Sequence, residues 1–107
     1  LNKITGYFEA NYMHQITLET IAKDFGFSTG YFSRYFKEVT GKKYVEMLTL
    51  FRIEKAKEFI RNNKKEKLFE VSEKVGFVRY RTFSEAFKKY TGQTPENFRK
   101  SVWKEEL

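Results

Sequence analysis

The chain has 107 residues, a formal net charge of +7 and no cysteine, which excludes a disulfide framework and a thiolate-bound metal site. Its length suits one domain or two very small ones, and aromatic residues, 19% of the chain, supply enough apolar volume for a core. Without a bilayer-spanning stretch or a visible signal sequence, the chain is expected to be cytoplasmic. Its basic balance favours an anionic partner, either nucleic acid or an anionic membrane surface.

The first predicted element is a weak helix over residues 1–12, in which Ile4, Phe8 and Tyr12 share one face. A short connection follows that contains His14, the one histidine of the chain. A lone histidine in a connector is expected to be solvated, so no catalytic or ligand role is assigned to it. The connection ends at Thr17, a residue type that can cap the next helix.

A helix-turn-helix unit is predicted next. Gly26 ends its first helix, where a left-handed residue costs glycine nothing, and Phe27 anchors the turn. Ser28 offers a fresh N-cap for a second helix over residues 29–40, which Gly41 stops. Two helices joined by a turn of about three residues form the motif that places its second helix in a DNA groove.

The second helix of this unit carries a short polar face formed by Gly30, Ser33, Arg34 and Lys37. Small residues allow close approach to DNA, an arginine can pair with a guanine edge, and a lysine suits the phosphate backbone. The same residues also fit an ordinary solvated face with basic side chains. The face by itself leaves both interpretations open.

One long helix is predicted over residues 44–63, which contain neither proline nor glycine. As α-helix, residues 45–62 would span roughly 27 Å, long enough to hold two reading units about one DNA turn apart. Arg52 lies on its apolar face and needs a partner, because an unpaired buried charge is costly. The residues of that face are Val45, Leu48, Arg52, Ala56, Phe59 and Ile60.

The chain then repeats itself, about 50 residues after the first copy. Gly76 and Phe77 repeat the turn, and a second recognition helix is predicted over residues 79–91. A last helix is capped by Thr94, with Pro95 at its first position, where the missing N–H costs nothing. The exposed face of the second recognition helix comprises Tyr80, Arg81, Ser84, Glu85 and Lys88.

The two copies differ in two places. Val78 stands where Ser28 provides a cap, so the second recognition helix is predicted to lack a side-chain cap. Glu85 replaces the arginine found at Arg34. A carboxylate repels phosphate but can accept a hydrogen bond from cytosine N4, so the two helices are predicted to read different sequences.

These motifs resemble the DNA-binding domain of the AraC/XylS family of bacterial transcription regulators, over almost the whole chain. The long helix also resembles the connecting helix of that family, with Arg52 to Ala56 in the expected place. The family signature is a Gly-Phe turn followed by Phe-Ser-x-x-Phe-Lys, a glycine, a proline and an aromatic-Arg pair. It is matched here by Gly76-Phe77, Phe83-Ser84, Phe87-Lys88, Gly92, Pro95 and Phe98-Arg99.

The resemblance implies an all-α fold of about seven helices, with two helix-turn-helix subdomains joined by a long central helix. It implies double-stranded promoter DNA as the partner, with the recognition helices in successive major grooves. The implied base-reading residues are Gly30, Ser33, Arg34, Tyr80, Arg81, Ser84 and Glu85, and the implied phosphate contacts are Lys37 and Lys88. Residues expected to be structural are Gly26, Phe27, Arg52, Gly76, Phe77 and Pro95.

The predicted divisions are a first subdomain over residues 1–43, the connecting helix over residues 44–63 and a second subdomain over residues 64–107. Because the first residue is Leu1 rather than methionine, we expect a longer protein that carries a sensing or dimerisation domain elsewhere. RNA polymerase is a further expected partner of such a regulator. No cofactor, metal or membrane partner is expected.

Two other function classes fit less well. An RNA- or protein-interaction module would display aromatic side chains or flexible loops, whereas the aromatic residues here recur mostly at buried spacing. An enzyme would need a nucleophile motif, a glycine-rich phosphate loop or a cluster of His, Cys and Asp residues, and no such pattern is present. We therefore predict no catalytic residues.

Overall fold

A computed structural model describes residues 2–104 of the chain. Within that range the chain forms seven α-helices and no strand, which confirms the predicted all-α fold. The helices are α1 (Asn2–Asn11), α2 (Leu18–Asp24), α3 (Thr29–Thr40), α4 (Tyr44–Asn62), α5 (Leu68–Lys74), α6 (Tyr80–Thr91) and α7 (Pro95–Trp103).

The helices group into two compact units, with the division between Phe51 and Arg52. The division falls inside α4, so the first turns of that helix belong to unit 1 and the remainder to unit 2. Unit 1 contains α1, α2 and α3, and unit 2 contains α5, α6 and α7. Each unit therefore has one complete helix-turn-helix pair and a share of the long helix.

Unit 1 is held together by aromatic packing around Phe8. The Phe8 ring centroid lies 5.9 Å from that of Phe36 on α3 and 5.9 Å from that of Phe51 on α4. Phe8, Phe32 and Phe36 are fully buried, as are Ile4 and Ile21. Burying each phenylalanine contributes about 1.5–3 kcal/mol, so these side chains supply most of the local driving force.

The local signals that the sequence predicts for unit 1 are present. Thr17 accepts a hydrogen bond from the Thr20 backbone N–H at 3.1 Å, and the Ser28 hydroxyl accepts one from Tyr31 N–H at 3.2 Å. Gly26 has a φ of +77°, a conformation that L side chains rarely adopt. Caps of this kind contribute about 1 kcal/mol each, and they set where α2 and α3 begin.

Unit 2 has the equivalent core. Phe83 and Phe87 of α6 are fully buried, and the Phe98 ring of α7 packs edge-on against Phe87 at 5.3 Å. The Trp103 indole N–H donates to the carbonyl of Ile60 at 2.9 Å, which ties the end of α7 to α4. The last helix therefore packs within unit 2.

The predicted apolar face of α4 is wrong at its start. Val45 is 55% exposed, and the sequence pattern passed over Ile53, which is only 2% exposed. Val45 lies beside a cavity of about 340 Å³ that Leu18 and Phe36 also line. The apolar stripe thus extends one turn further along the helix than the packing does. Val39 near the end of α3 is another apolar side chain left exposed, at 37%.

Candidate nucleic-acid interface

The exposed face of α3 contains the four residues that the sequence predicted there. Gly30, Ser33, Arg34 and Lys37 are all exposed to solvent. A Cβ added to Gly30 would lie 3.9 Å from Nη1 of Arg34, an ordinary van der Waals distance. With glycine at position 30, no side chain at that position covers the Arg34 guanidinium. The face thus presents two long cationic side chains, Arg34 and, about one helical turn further along, Lys37.

The turn that precedes each recognition helix is built in the same way in both units. The Phe27 backbone N–H donates to Ala22 O at 2.9 Å, and the Phe77 N–H donates to Ser72 O at 3.1 Å. Gly26 and Gly76 both have positive φ, at 77° and 102°. These bonds satisfy carbonyl groups at the end of the first helix and aim the second helix outward.

The start of α6 differs from the start of α3. Its N-cap residue is Arg79 and not Val78, the residue predicted there from the sequence, because the extra residue after Phe77 shifts the start of the helix by one. Arg79 makes no side-chain capping hydrogen bond, so the predicted lack of a cap is confirmed. The next residue, Tyr80, is partly buried, and its hydroxyl donates to Oε2 of Glu96 at 2.6 Å. Burial and then this bond to a carboxylate raise the pKa of Tyr80 well above its ordinary value. The Tyr80 hydroxyl thus already has a protein acceptor.

Two further residues of the predicted reading face of α6 form an ion pair. Arg81 Nε lies 3.7 Å from Oε2 of Glu85, one helical turn away, and both side chains are largely exposed. An exposed pair of this spacing contributes only about 0.3–0.5 kcal/mol, so DNA can displace it. Ser84 is half-buried beneath the pair, and Lys88 is exposed further along the helix.

Arg52, which the sequence predicts to be structural, lies half-buried on α4. Its guanidinium carbon is 5.8 Å from the ring centroid of Phe77, within the range of a cation–π contact. Burial lowers the pKa of this guanidinium from its ordinary value. Arg52 thus contacts the aromatic anchor of the turn that precedes α6, which is consistent with a structural role.

Sequence reasoning passed over Tyr31, which lies beside the predicted reading face of α3. Its side chain is 49% exposed, and its ring contacts Phe27 at 4.8 Å and Tyr35 at 6.5 Å. The periodicity assigned Tyr31 to neither face, because it stands between the buried and the exposed stripes. Its angular position next to Arg34 is the signal that could have found it.

Residues 2–104 contain neither a metal-binding cluster nor a helix that could span a membrane. Among residues 2–104, no group of three or more metal-binding side chains lies close enough to hold an ion. In the same part of the chain, no helix is both long and apolar enough to cross a membrane.

Comparison with known proteins agrees with this geometry. A family model described as a helix-turn-helix domain matches residues 21–101, which is most of the chain. The chain belongs to this AraC-type helix-turn-helix family. A curated relative is an uncharacterised helix-turn-helix-type transcriptional regulator of Pseudoalteromonas carrageenovora, 34% identical over 95 residues, which cover 89% of this chain and 55% of the relative. The chain thus spans about half the length, or less, of the curated relatives it matches.

Solved structures share the AraC-type fold. The C-terminal domain of the response regulator yesN from Fusobacterium nucleatum is 33% identical, with a TM-score of 0.85 over 92% of this chain and 95% of that one. The DNA-binding domain of AdpA, solved in complex with a target DNA, has a TM-score of 0.90 over 97% of this chain and 93% of that one. At 20% identity, AdpA shows the likeness of the fold alone.

Family membership settles the class of function but not the role of each side chain. AraC-type chains are the DNA-binding parts of transcription regulators, so sequence-specific recognition of double-stranded DNA is the function of this fold. The roles of the individual residues on α3 and α6 stay predictions.

Proposed function

We propose that this chain is the DNA-binding part of a bacterial transcription regulator and that α3 and α6 each enter a major groove of promoter DNA. The observation that carries the proposal is the exposed polar face on the second helix of both helix-turn-helix pairs. The net charge of +7 adds the electrostatic attraction to phosphate that duplex binding needs. The AdpA domain, which shares the fold, was solved with a target DNA, and this supports the proposal.

In unit 1, Arg34 is the proposed base-reading side chain. A guanidinium can donate two hydrogen bonds to O6 and N7 of guanine, which is worth about 1–3 kcal/mol of discrimination. Gly30 and Ser33 are small and exposed, so they allow the helix backbone to approach the base edges closely. Lys37, one turn beyond Ser33, is assigned to the phosphate backbone, which positions the helix without reading sequence.

In unit 2, the reading chemistry is proposed to come from the Arg81–Glu85 pair, with Tyr80 and Ser84 beside it. Glu85 can accept from cytosine N4, while the neighbouring Arg81 offsets its repulsion from phosphate. An arginine and a carboxylate one turn apart match a guanine and a cytosine at neighbouring positions. Lys88 is assigned to phosphate, as Lys37 is in unit 1.

The other proposed partners belong to the longer protein. Since the chain spans 36% to 55% of relatives such as the Msm operon regulatory protein of Streptococcus mutans, we propose a sensing or dimerisation domain in the remainder. RNA polymerase is the proposed target once the regulator is on promoter DNA, and the proposed compartment is the cytoplasm. None of these partners requires a catalytic site.

The test begins with selection of duplexes from a random pool by the 107-residue chain. Affinity is then measured for the selected duplex, for a scrambled duplex of equal composition and for each single strand. The proposal expects the selected duplex to bind at least about a thousandfold more tightly than the scrambled one. Equal affinity for all duplexes, or tighter binding to a single strand, would show that the chain is not a sequence reader of duplex DNA.

Charge-neutralising variants sharpen this test. Lys37→Ala and Lys88→Ala should each weaken binding to every duplex. Each should also make the plot of log affinity against log salt less steep by about 0.9, because one fewer counterion is released. Lys57→Ala is the matched control, because Lys57 is already paired with Glu54 at 3.1 Å. Its salt slope should stay at the starting value. A slope that falls equally in all three variants would contradict specific phosphate contacts at Lys37 and Lys88.

We also propose that α3 and α6 enter successive major grooves, and a change in the spacing between the two half-sites tests this. Inserting 5 bp between the two half-sites should remove the contribution of one unit, because half a turn moves the second groove to the opposite side of the duplex. Inserting 10 bp should not restore affinity if one chain spans both half-sites. Full recovery at 10 bp would instead indicate two chains or a flexible connection.

A further inference from the structure

Tyr31 is an exposed side chain whose direction is set by two aromatic neighbours. Its ring meets Phe27 nearly edge-on, at 4.8 Å and 77°, and stacks on Tyr35 at 6.5 Å and 16°. Phe27 also contacts Tyr35 at 5.5 Å, so the three rings form a closed cluster, which we call the aromatic ladder. Offset-stacked and edge-on pairs are the favoured arrangements of aromatic rings, so these contacts hold Tyr31 in place before any partner binds.

The hydroxyl of Tyr31 is the polar end of the most exposed ring of this cluster. Within the described residues it has no hydrogen-bond partner, while the Tyr31 backbone N–H is used by the Ser28 cap. The Tyr31 ring is held by two aromatic contacts, is 49% exposed and ends in a hydroxyl that is free to donate a hydrogen bond. The chain fixes the position of this donor at the cost of an exposed apolar surface.

The angular positions on α3 place this donor on one side of the proposed base reader. At about 100° per residue, Tyr31 stands about 60° to one side of Arg34 and Lys37 about 60° to the other. An α-helix with its side chains is about 10–12 Å wide, and the major groove is about 12 Å wide. When Arg34 points at the groove floor, residues about 60° to each side point at the two rims, where the phosphates lie.

We propose that the Tyr31 hydroxyl donates a hydrogen bond to a DNA phosphate on the strand opposite the one that Lys37 contacts. The proposal rests on the proposed function, in which α3 enters a major groove. Tyr31 and Lys37 then hold α3 across the groove from its two rims, and Gly30 leaves room between them. Tyr31 is a positioning residue in this arrangement, since a phosphate contact carries no base sequence.

Unit 2 does not share this device. Thr82 and Ala86 occupy the positions on α6 that correspond to Tyr31 and Tyr35, so no aromatic ladder forms there. Lys88 corresponds to Lys37 and is exposed. The side chain of Thr82 is several ångströms shorter than a phenol, so the contact on the second rim is predicted for unit 1 alone.

The test compares Tyr31→Phe with Tyr35→Phe, which removes the same single atom one turn along the same ladder. Both variants should keep the melting temperature, because both rings remain. Tyr31→Phe should weaken binding to the selected duplex about three- to tenfold, the effect of losing one hydrogen bond, and to the scrambled duplex by the same factor. The salt slope should not change, because a neutral hydroxyl releases no counterion, in contrast to Lys37→Ala.

Phosphate-ethylation interference locates the contact. Tyr31→Phe should abolish interference at one phosphate, and Lys37→Ala should abolish it at a phosphate of the other strand. Wild-type affinity for Tyr31→Phe, an equal loss in Tyr35→Phe, or a changed base preference would overturn the proposal. Failure of the unmodified chain to distinguish the selected duplex would instead reject the proposed function, so the two failures can be told apart.

Discussion

The helices α3 and α6, each the second helix of its helix-turn-helix pair, occupy corresponding places in the two units. Both α3 and α6 have 12 residues, and both end at a left-handed glycine, Gly41 or Gly92. Their buried sides are also alike, since Phe32 and Phe36 correspond to Phe83 and Phe87. The same scaffold has therefore been kept in both units.

The exposed sides and the N-termini of these helices differ. α3 starts at a serine cap and presents Arg34 beside the aromatic ladder, whereas α6 has no side-chain cap and presents the Arg81–Glu85 ion pair. The hydroxyl of Tyr80 bonds Glu96 of α7 close to that uncapped start. The comparison shows that the core side of a repeat can be conserved within one chain while its surface chemistry diverges, because packing restrains only the buried face.

The largest expected effect tests whether the two scaffolds are equivalent. Phe36→Ala and Phe87→Ala should each lower the free energy of unfolding by about 3–5 kcal/mol, because each removes a fully buried ring and leaves a cavity. Urea denaturation followed by circular dichroism measures both. Costs that differ by more than about 2 kcal/mol would show that one core relaxes around the cavity and the other does not.

The next effect concerns the difference between the reading faces. Arg34→Ala should relax base preference in one half-site and Glu85→Ala in the other, each by about 1–3 kcal/mol. Binding to a panel of single-base variants of the selected duplex measures the preference at each position. If both substitutions affected the same half-site, or if affinity fell equally for every sequence, α3 and α6 would not be separate base readers.

A smaller effect concerns the helix starts. Ser28→Ala should destabilise the chain by about 1 kcal/mol, because it removes the acceptor for the Tyr31 N–H. Arg79→Ser should have the opposite sign and stabilise by a similar amount, since a serine at that N-cap can accept from an unsatisfied N–H of α6. Thermal unfolding at low protein concentration measures both. Destabilisation by Arg79→Ser would show that Arg79 has another role at this helix start.

The smallest expected effect is a change in the pH dependence of stability, and it arises from a hydrogen bond that both units have. Each has a tyrosine hydroxyl that donates to a carboxylate, Tyr7 to Asp24 at 2.8 Å and Tyr80 to Glu96 at 2.6 Å. Burial, and then the bond to Asp24, raises the pKa of Tyr7 to about 12, and the pKa of Tyr80 is raised for the equivalent reasons. Because the neutral phenol is favoured in the folded chain, this stabilisation is complete below the ordinary pKa of about 10 and is lost as pH rises above it.

Stability measured between pH 9 and pH 12 should therefore fall less steeply in Tyr7→Phe and in Tyr80→Phe than in the unmodified chain. Tyr90→Phe is a control, because among residues 2–104 the Tyr90 hydroxyl, unlike those of Tyr7 and Tyr80, donates to no carboxylate. Its slope is expected to be that of the unmodified chain. Tyr80→Phe also bears on base reading. A changed base preference in that variant would mean that DNA takes the Tyr80 hydroxyl away from Glu96.

The sequence by itself determined the repeat, the all-α fold and the positions of the helix ends. Those features depend on neighbours within one or two turns, such as Thr17 with Thr20, Ser28 with Tyr31 and the glycine of each turn. The family resemblance then predicted that one face of α3 and one face of α6 contact DNA. The roles of the residues on those faces stay predictions until DNA binding is measured.

Only the tertiary structure decided which side chains form hydrogen bonds within the protein and which stay exposed. Arg99 bonds the backbone carbonyl of Glu66, 33 residues away, and Trp103 bonds that of Ile60, 43 residues away. Tyr80 was predicted to face DNA, yet its hydroxyl meets Glu96, while Tyr31 was assigned to no face and stands exposed. Helical periodicity gives the direction of a side chain around its own axis, but what that direction meets depends on elements distant in the chain.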